Sequence, residues 1–198
     1  VPLDYKINQI VNLRFIQQSE ADNVNLIGSQ KFNDYQFQAI ITNVTLPEID
    51  QVFTKTDKAV SVAIHNGNDP YHFAGIQPLK ELILPNSDLE LPQSRLNRTI
   101  VWTSPEPSNV QQALDLTGNN SGLGLALNST VTNGNINLDV TIKFAQNYSN
   151  LKLVVYLLED HLIYMQRNYT SYYNGVNPIP NFEHNHVLRQ SVTNILGD

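Results

Sequence analysis

The dipeptide Asn133-Gly134 separates two runs of alternating apolar and polar residues, and this arrangement constrains the fold more than any other part of the sequence. Both residue types tolerate the positive φ angles of a two-residue hairpin turn. Leu123, Leu125 and Leu127 alternate before the turn, and after it the apolar residues are Ile136, Leu138, Val140, Ile142 and Phe144. Strict alternation is typical of strands with one buried and one solvated face. The sequence therefore predicts an antiparallel hairpin centred on this turn.

More strand-like segments follow the hairpin. We expect strands over residues 151–158, 162–165 and 182–188, and the first is apolar on both sides, which favours a central position in its sheet. A long connection, residues 168–181, is rich in Tyr and Pro. Connections of this length are commonly functional or mobile. Residues 117–198 are therefore predicted to form an antiparallel, Ig-like β-sandwich module, preceded by a Gly/Asn-rich boundary at 116–122.

The first part of the chain alternates helix and strand signals. Thr45 and Glu48 have the spacing of a helix-starting capping box. The remaining elements are expected as a strand over 58–65, a helix over 74–84, a strand over 95–102 and a helix over 108–114. The mostly apolar 58–65 segment is typical of a strand in a sheet covered on both faces. The order α, β, α, β, α predicts an α/β layer over residues 1–116, and the whole chain is assigned to the α+β class.

The composition excludes several functions. The net charge is −6, and the 12 Lys and Arg residues form no run, which argues against nucleic-acid binding. No segment is long and apolar enough to span a membrane. The chain has no cysteine, so disulfides, thiolate metal sites and thiol catalysis are excluded. It starts without a signal peptide, and we expect an export signal to have been removed.

Two histidines one residue apart, His184 and His186, are the most conspicuous candidate site. Within one strand they would point to the same face and could chelate a cation with Asp160, His161 or Glu183. Zinc needs three or four such ligands, so this spacing alone is a weak signal. The alternatives are rings that hydrogen-bond to backbone or Tyr side chains, or that contact a ligand. We favour the hydrogen-bonding role and predict neither a metal site nor a cofactor.

Three other groups of side chains have two interpretations each. Glu159-Asp160-His161 is either an acid/base pair or the point where a buried strand enters solvent, and we favour the second. His65, Asp69 and His72 follow a predicted central strand and form either the lip of a pocket or, as we favour, a turn. An aromatic group could bind a sugar or peptide by stacking, or could hold the long connection on the sheet. Its members are Tyr164, Tyr169, Tyr172, Tyr173 and Phe182.

Several motifs resemble one known family. The segments "KLVVYLLEDHLIY", "NYTSYYNGVNPIP" and above all "HNHVLRQ" are similar to the Bacteroidetes-type twenty-eight-kilodalton outer membrane protein family. The upstream segments "VSVAIHNGNDPYHF" and "LPQSRLNRTIVW" resemble the later part of that family's thioredoxin-like domain. The resemblance covers roughly residues 59–190. It implies a thioredoxin-like layer in which 58–65 is a central strand and Leu91-Pro92 takes the place of the cis-proline.

The chain departs from that family in two ways. Many members have a C-x-x-C-like pair near the position of residues 31–37, where this chain has no sulfur, so it cannot perform disulfide exchange. The family's β-module also continues with strands beyond "HNHVLR", so we expect the module to be incomplete at Asp198. The resemblance further implies membrane association through a lipid anchor upstream of Val1.

These considerations predict a non-enzymatic, exported module at the outer membrane that binds a protein or a glycan at the cell surface. The expected ligand-binding residues are His161, Tyr169, Tyr172, Tyr173, His184 and His186. One alternative is a redox-dead, thioredoxin-like accessory protein of a thiol-disulfide or chaperone system. A further alternative is a metal-dependent hydrolase that uses His184, His186 and Asp160.

Overall fold

The fold is described from a computed structural model, which covers residues 3–5, 10–18, 37–42, 47–85, 93–103, 109–117, 122–133 and 135–198. The strands are β1 (Leu3–Tyr5), β2 (Ile10–Gln18), β3 (Phe37–Thr42), β4 (Ala59–Ile64), β5 (Ser94–Leu96), β6 (Ile100–Val101), β7 (Leu123–Thr132), β8 (Asn135–Phe144), β9 (Tyr148–Leu151), β10 (Tyr156–Glu159), β11 (Leu162–Gln166), β12 (Ile179–His184) and β13 (Val187–Ser191). The helices are α1 (Pro47–Lys55), α2 (Gln77–Ile83) and α3 (Val110–Leu114), and 3-10 turns cover Ala74–Ile76 and Tyr172–Gly175. Thr45, residues 31–36 and Leu91-Pro92 lie outside the described residues.

The strands form four sheets within the described part of the chain. The largest has six strands in the order β10-β13-β4-β3-β5-β6, and a three-stranded sheet has the order β2-β8-β7. Two pairs, β1-β9 and β11-β12, form two-stranded sheets. Most strand pairs are antiparallel, whereas β4 pairs in parallel with both β3 and β13. This mixture of helices and small sheets confirms the α+β class.

The predicted hairpin is confirmed. Strands β7 and β8 pair in an unbroken antiparallel register from Leu123–Phe144 to Thr132–Asn135. Asn133 in the turn has a φ of 52°, as the turn type requires. On β8 the predicted apolar set is buried: Ile136, Leu138, Val140, Ile142 and Phe144. Strand β2 pairs along the other edge of β8, so β8 is the central strand of this sheet.

The six-stranded sheet is covered on both faces, as the composition of β4 predicts. On one face, α1 and α3 pack with the sheet through a cluster that includes Val52, Leu96 and Trp102. On the other face, α2 packs through a cluster that includes Val62, Leu79 and Leu188. Consecutive residues of β4 therefore contribute to opposite layers, which is why this strand lacks the alternation of β8.

Three predicted strands are broken, and the 182–188 segment divides at residues 185–186 into the end of β12 and the start of β13. The 151–158 segment divides into the end of β9 and the start of β10, and residues 152–155 between them belong to no strand. Its predicted central position is also wrong, because β10 lies at the edge of the six-stranded sheet. The 95–102 segment divides into β5 and β6, which pair with each other across a tight turn. Asn97 and Arg98 in that turn have φ angles of 48° and 67°, and this backbone cannot continue a strand.

Strand pairing crosses the predicted division between residues 116 and 117. Strand β2 comes from the first segment and pairs with β8 from the second. Strand β13 from the second segment joins β4 from the first, with Val187 opposite Ala63. The assignment of residues 1–116 and 117–198 to separate domains stays a prediction. In the described residues we find no helix that is both apolar and long enough to cross a bilayer.

Candidate functional site

The "HNH" motif lies at a break in a long antiparallel ribbon. The inner part of the ribbon, β10 with β13, belongs to the six-stranded sheet, whereas the outer part, β11 with β12, forms a separate two-stranded sheet. The β10-β11 side and the β12-β13 side of the ribbon are both interrupted at the same level. His161 on the first side and His186 on the second have positive φ angles of 60° and 57°. Left-handed residues interrupt strand geometry, so this junction separates the outer hairpin from the main sheet.

The prediction that His184 and His186 share one strand face is wrong. His184 is the last residue of β12, and His186 lies in the break before β13. The left-handed backbone at His186 ends the simple alternation of side chains. The ring of His186 packs edge-on against Phe53 of α1, with ring centroids 5.9 Å apart. The ring of His184 instead packs against aromatic residues of the outer hairpin and of the loop after β4.

Hydrogen bonds between the two sides of the ribbon stabilise the junction. Asp160 Oδ1 accepts the backbone N–H of His186 at 2.5 Å, and Asn185 Oδ1 accepts the backbone N–H of His161 at 2.8 Å. Asn185 also donates to Glu183, whose carboxylate lies 2.8 Å from Nδ1 of His161. These contacts, first from Asn185 and then from His161, lower the pKa of Glu183. Asp160 and His161 therefore have different partners across the ribbon. The side chain of Asn185 in the "HNH" motif and that of Asp160 hold the backbone of the junction in place.

A buried group of rings lies beneath the outer hairpin, and we call His65, Tyr71, Phe182 and His184 the imidazole cluster. The ring of His184 is 5.0 Å from that of His65, 5.5 Å from Tyr71 and 4.9 Å from Phe182, measured between centroids. His65 and His184 are only 3% and 5% exposed. Two regions that sequence analysis treated separately, the end of β4 and the "HNH" motif, therefore meet at one site.

Burial in the cluster favours the neutral form of the His184 imidazole. Burial, and then the neighbouring His65, lower the pKa of His184 to about 4, although Asp69 and a hydrogen bond with the Tyr164 backbone act in the opposite direction. Among the residues that the structure describes, Nε2 of His184 and Nδ1 of His65 have no hydrogen-bond partner. Asp69 Oδ2 lies 3.0 Å from Nδ1 of His65, close enough for an ion pair but not aligned for a hydrogen bond. His72 approaches from the other side, with Nδ1 3.1 Å from the His65 carbonyl oxygen. Across the described ranges, no three His, Cys, Asp or Glu residues are arranged to hold a metal ion.

Tyr71 connects the outer hairpin to the loop after β4, and sequence analysis did not single it out. Its hydroxyl donates to the carbonyl oxygen of Ile163 in β11 at 3.0 Å. Its ring lies 5.6 Å from the guanidinium of Arg189 and 6.1 Å from the ring of Tyr164. Burial raises the pKa of its hydroxyl further above neutral pH. The only hint in the sequence is its place in "NDPYHF", where Asp69 Oδ1 accepts its backbone N–H at 2.8 Å.

Replacing Tyr71 with Phe is expected to destabilise the fold by about 1 kcal/mol, because the hydrogen bond from its hydroxyl to the Ile163 carbonyl is lost. Urea unfolding of Tyr71→Phe and wild type measures this difference. Tyr169→Phe is the matched control, since Tyr169 is 73% exposed. Equal loss in both variants would contradict a role for the Tyr71 hydroxyl in docking the hairpin.

Asn168 organises the connection between β11 and β12. It is 8% exposed, and Nδ2 donates to the carbonyl oxygens of Tyr172 at 2.8 Å and Val176 at 3.1 Å. Oδ1 accepts the backbone N–H of Thr170 at 2.9 Å and its hydroxyl at 2.7 Å. The connection is therefore a structured loop. Sequence analysis missed this residue as a site, because nothing local distinguishes it from the many other asparagines.

The outer hairpin and this loop present an unusual number of exposed apolar side chains. Tyr169 is 73% exposed, and Tyr173 is 47% exposed while its ring contacts Phe182 at 5.7 Å. Tyr172 is half-buried, and its carbonyl is held by Asn168. Together with residues of β11, these side chains form the set that we call the hairpin patch: Ile163, Tyr164, Met165, Tyr169, Tyr173 and Val176. His161 lies beside it, whereas His184 lies beneath the hairpin.

These features define an α+β protein in which an outer hairpin is anchored on the main sheet by buried rings. Comparison with known families gives a more specific result: the profile of the family described as Outer membrane protein Omp28 matches residues 89–198. The match covers more than half of the chain, so the chain belongs to this family, as the motifs predicted. Membership confirms the predicted outer-membrane or exported location. No curated protein and no solved structure matches the chain.

Proposed function

We propose that this chain is a non-catalytic binding protein of the outer membrane, and that the hairpin patch binds a protein partner at the cell surface. The observation that carries the proposal is the exposure of the patch, where Ile163, Tyr169 and Tyr173 are 52%, 73% and 47% exposed. Large exposed apolar groups on a folded surface commonly mark interaction sites. The patch includes Tyr169 and Tyr173, which sequence analysis selected as ligand-binding residues.

The patch is held in place before any partner binds. Tyr71 fixes β11, the imidazole cluster fixes β12, and Asn168 fixes the loop that contains Tyr169 and Tyr173. A surface that is ordered in advance loses less conformational entropy on binding. This rigidity supports a recognition role for the patch.

The chemistry of the patch favours a protein over a glycan. Ile163, Met165 and Val176 are exposed aliphatic or thioether side chains in the same hairpin and loop as the Tyr residues. Protein interfaces are enriched in Tyr and Met, and their centres are apolar. A sugar site needs aromatic faces bordered by polar groups. Binding of a glycan is therefore kept as the alternative outcome of the test.

The non-catalytic assignment rests on what the chain's own residues can do. The sequence contains no cysteine, which removes thiol-disulfide chemistry. His186 Nδ1 lies 3.3 Å from Asp160 Oδ1 in the junction, whereas His184 is buried in the imidazole cluster, so the three residues of the alternative hydrolase are divided between two places. These contacts favour binding over turnover.

We also propose that the α/β part is a degenerate thioredoxin-like layer. Strand β3, helix α1 and parallel strand β4 form a βαβ unit, and the antiparallel strands β5 and β6 extend it on the β3 side. The sheet order β4-β3-β5-β6 is that of a thioredoxin-like core, with α3 after the last strand. In the same proposal the β7-β8 sheet belongs to an Ig-like module, with β2 added from the N-terminal part, and a lipid anchor attaches the protein to the membrane.

A photo-crosslinking amino acid at position 169 is expected to give a discrete covalent adduct with a surface protein in living cells. The same probe at Val60, which is 37% exposed on β4, serves as the control for general surface collisions. The adduct should disappear when Tyr173→Ala and Met165→Ala are combined with the probe. Identical adducts from both positions, or adducts only with glycan, would contradict a protein-binding patch.

A further inference from the structure

A second surface lies far from the hairpin patch in the sequence, along strand β7. This strand is at the edge of the β2-β8-β7 sheet, and no other strand in the described part of the chain pairs with its outer side. The pairing with β8 runs over all ten residues without a bulge. Natural edge strands are usually protected by charge, proline or a bulge. The segment 123–132, "LGLALNSTVT", has no charged residue and no proline.

The geometry of the turn defines which backbone groups face outward. Because the hairpin closes on the pair Thr132–Asn135 with two residues between them, this pair exchanges hydrogen bonds within the hairpin. Along an antiparallel ladder, hydrogen-bonded pairs alternate with pairs that exchange no hydrogen bonds, so every second residue of β7 does not bond to β8. Leu127, Ser129 and Val131 direct their N–H and C=O groups away from β8, towards the open edge.

The same three residues are arranged symmetrically. Leu127 and Val131 are 38% and 45% exposed, and each lies two residues from Ser129 on the same face of the strand. An antiparallel copy of β7 with its two-fold axis at Ser129 would place Leu127 of one chain opposite Val131 of the other. Both apolar side chains would then leave solvent, and the outward backbone groups of all three residues would pair.

We propose that two copies of this chain associate through β7 in that register, giving a continuous six-stranded sheet with the order β2-β8-β7 followed by its symmetry mate. Two-fold association needs only one self-complementary surface, which this edge supplies. The chain has a net charge of −6, but the segment 123–132 is neutral, so two copies can pair along this edge without placing like charges opposite each other. The association is independent of the hairpin patch.

The absence of native cysteine allows a direct test of the register. We expect Ser129→Cys to form a disulfide-linked dimer on mild oxidation at least ten times faster than Thr132→Cys. In the proposed register the two Ser129 residues are opposite each other, at a Cα separation of about 5.5 Å that permits a disulfide. The two Thr132 residues are offset by six positions, roughly 20 Å along the strands. Equal cross-linking rates for the two variants would overturn the proposal.

Analytical ultracentrifugation of the wild type and of Val131→Lys supplies an independent measurement. The wild type should sediment as a concentration-dependent dimer, and Val131→Lys should be monomeric, since the new ammonium group would face Leu127 of the other copy. Thr132→Lys adds the same charge on the opposite face, and its dimer should weaken far less. Circular dichroism establishes that each variant is folded. A monomeric wild type, or a dimer that survives Val131→Lys, would also overturn the proposal.

Discussion

Acidification from pH 7 to pH 4 is expected to destabilise the fold by about 3 kcal/mol through His184 alone. The imidazole has an ordinary pKa of 6.5 in the unfolded chain and a pKa of about 4 in the folded chain, because it is buried next to His65. Between these two values the unfolded chain binds the proton and the folded chain does not, so acid favours unfolding. The stabilisation is complete above about pH 6.5, declines as the pH falls towards 4, and levels off below that value.

His184→Asn isolates this contribution. An asparagine amide can still hydrogen-bond to the Tyr164 backbone but does not titrate, so the variant should lose about 3 kcal/mol less than wild type over the same pH range. Urea unfolding at intervals from pH 7.5 to pH 4 measures both curves. Tyr169→Phe is the control, because Tyr169 is 73% exposed and lies outside the imidazole cluster, and its curve should follow that of wild type. Parallel curves for wild type and His184→Asn would contradict the assignment.

The acid sensitivity should appear first in the outer hairpin. His184 packs against Phe182 of the hairpin and against His65 and Tyr71 of the main body, so a proton on its ring weakens the contact that anchors β12. Hydrogen exchange at pH 4.5 should therefore increase in residues 162–184 before it increases in β4. A uniform increase across the chain would indicate that the cluster stabilises the whole fold and does not anchor the hairpin specifically.

Local sequence patterns predicted the helices and strands that bury only one face. The alternation in β8 and the Asn133-Gly134 turn predicted the hairpin with the correct register, because strand periodicity reports directly which face is buried. The helix predicted over residues 74–84 is likewise found, as α2 (Gln77–Ile83) with a 3-10 turn directly before it. These elements depend on neighbours in the sequence, so a sequence pattern contains the necessary information.

The strand breaks could not be predicted from sequence patterns, because they depend on residues that are distant in the sequence. His186 adopts a positive φ where Asp160, 26 residues earlier in the chain, accepts its backbone N–H. The contact between His65 and His184 joins segments separated by more than one hundred residues. Neither histidine has a local feature that predicts this partner, and the spacing of His184 and His186 suggested a shared face that the left-handed backbone removes. The residue types of the site could be predicted, but their grouping could not.

Replacing Asn168 with Ala is expected to reduce the local stability of the 167–178 loop by about 3 kcal/mol. The amide makes four hydrogen bonds from an 8% exposed position, two as donor to the Tyr172 and Val176 carbonyl groups and two as acceptor from Thr170. Each is worth about 1 kcal/mol, and unpartnered carbonyls in a half-enclosed loop add a desolvation cost. Water can replace part of this loss at the outer side of the loop, so the sum is below the count of bonds multiplied by the single-bond value.

The Asn168→Ala variant also connects loop order to recognition, because this residue holds the backbone on both sides of Tyr173. Hydrogen exchange should increase in residues 168–178 while the β7-β8 hairpin is unchanged, and cross-linking from position 169 should fall in parallel. Asn68→Ala, at an exposed turn position outside the ribbon, should leave both measurements at the wild-type level. If exchange increases while cross-linking persists, the partner binds β11 without the loop. Retention of slow exchange in Asn168→Ala would instead mean that packing of Tyr173 on Phe182 is sufficient to order the loop.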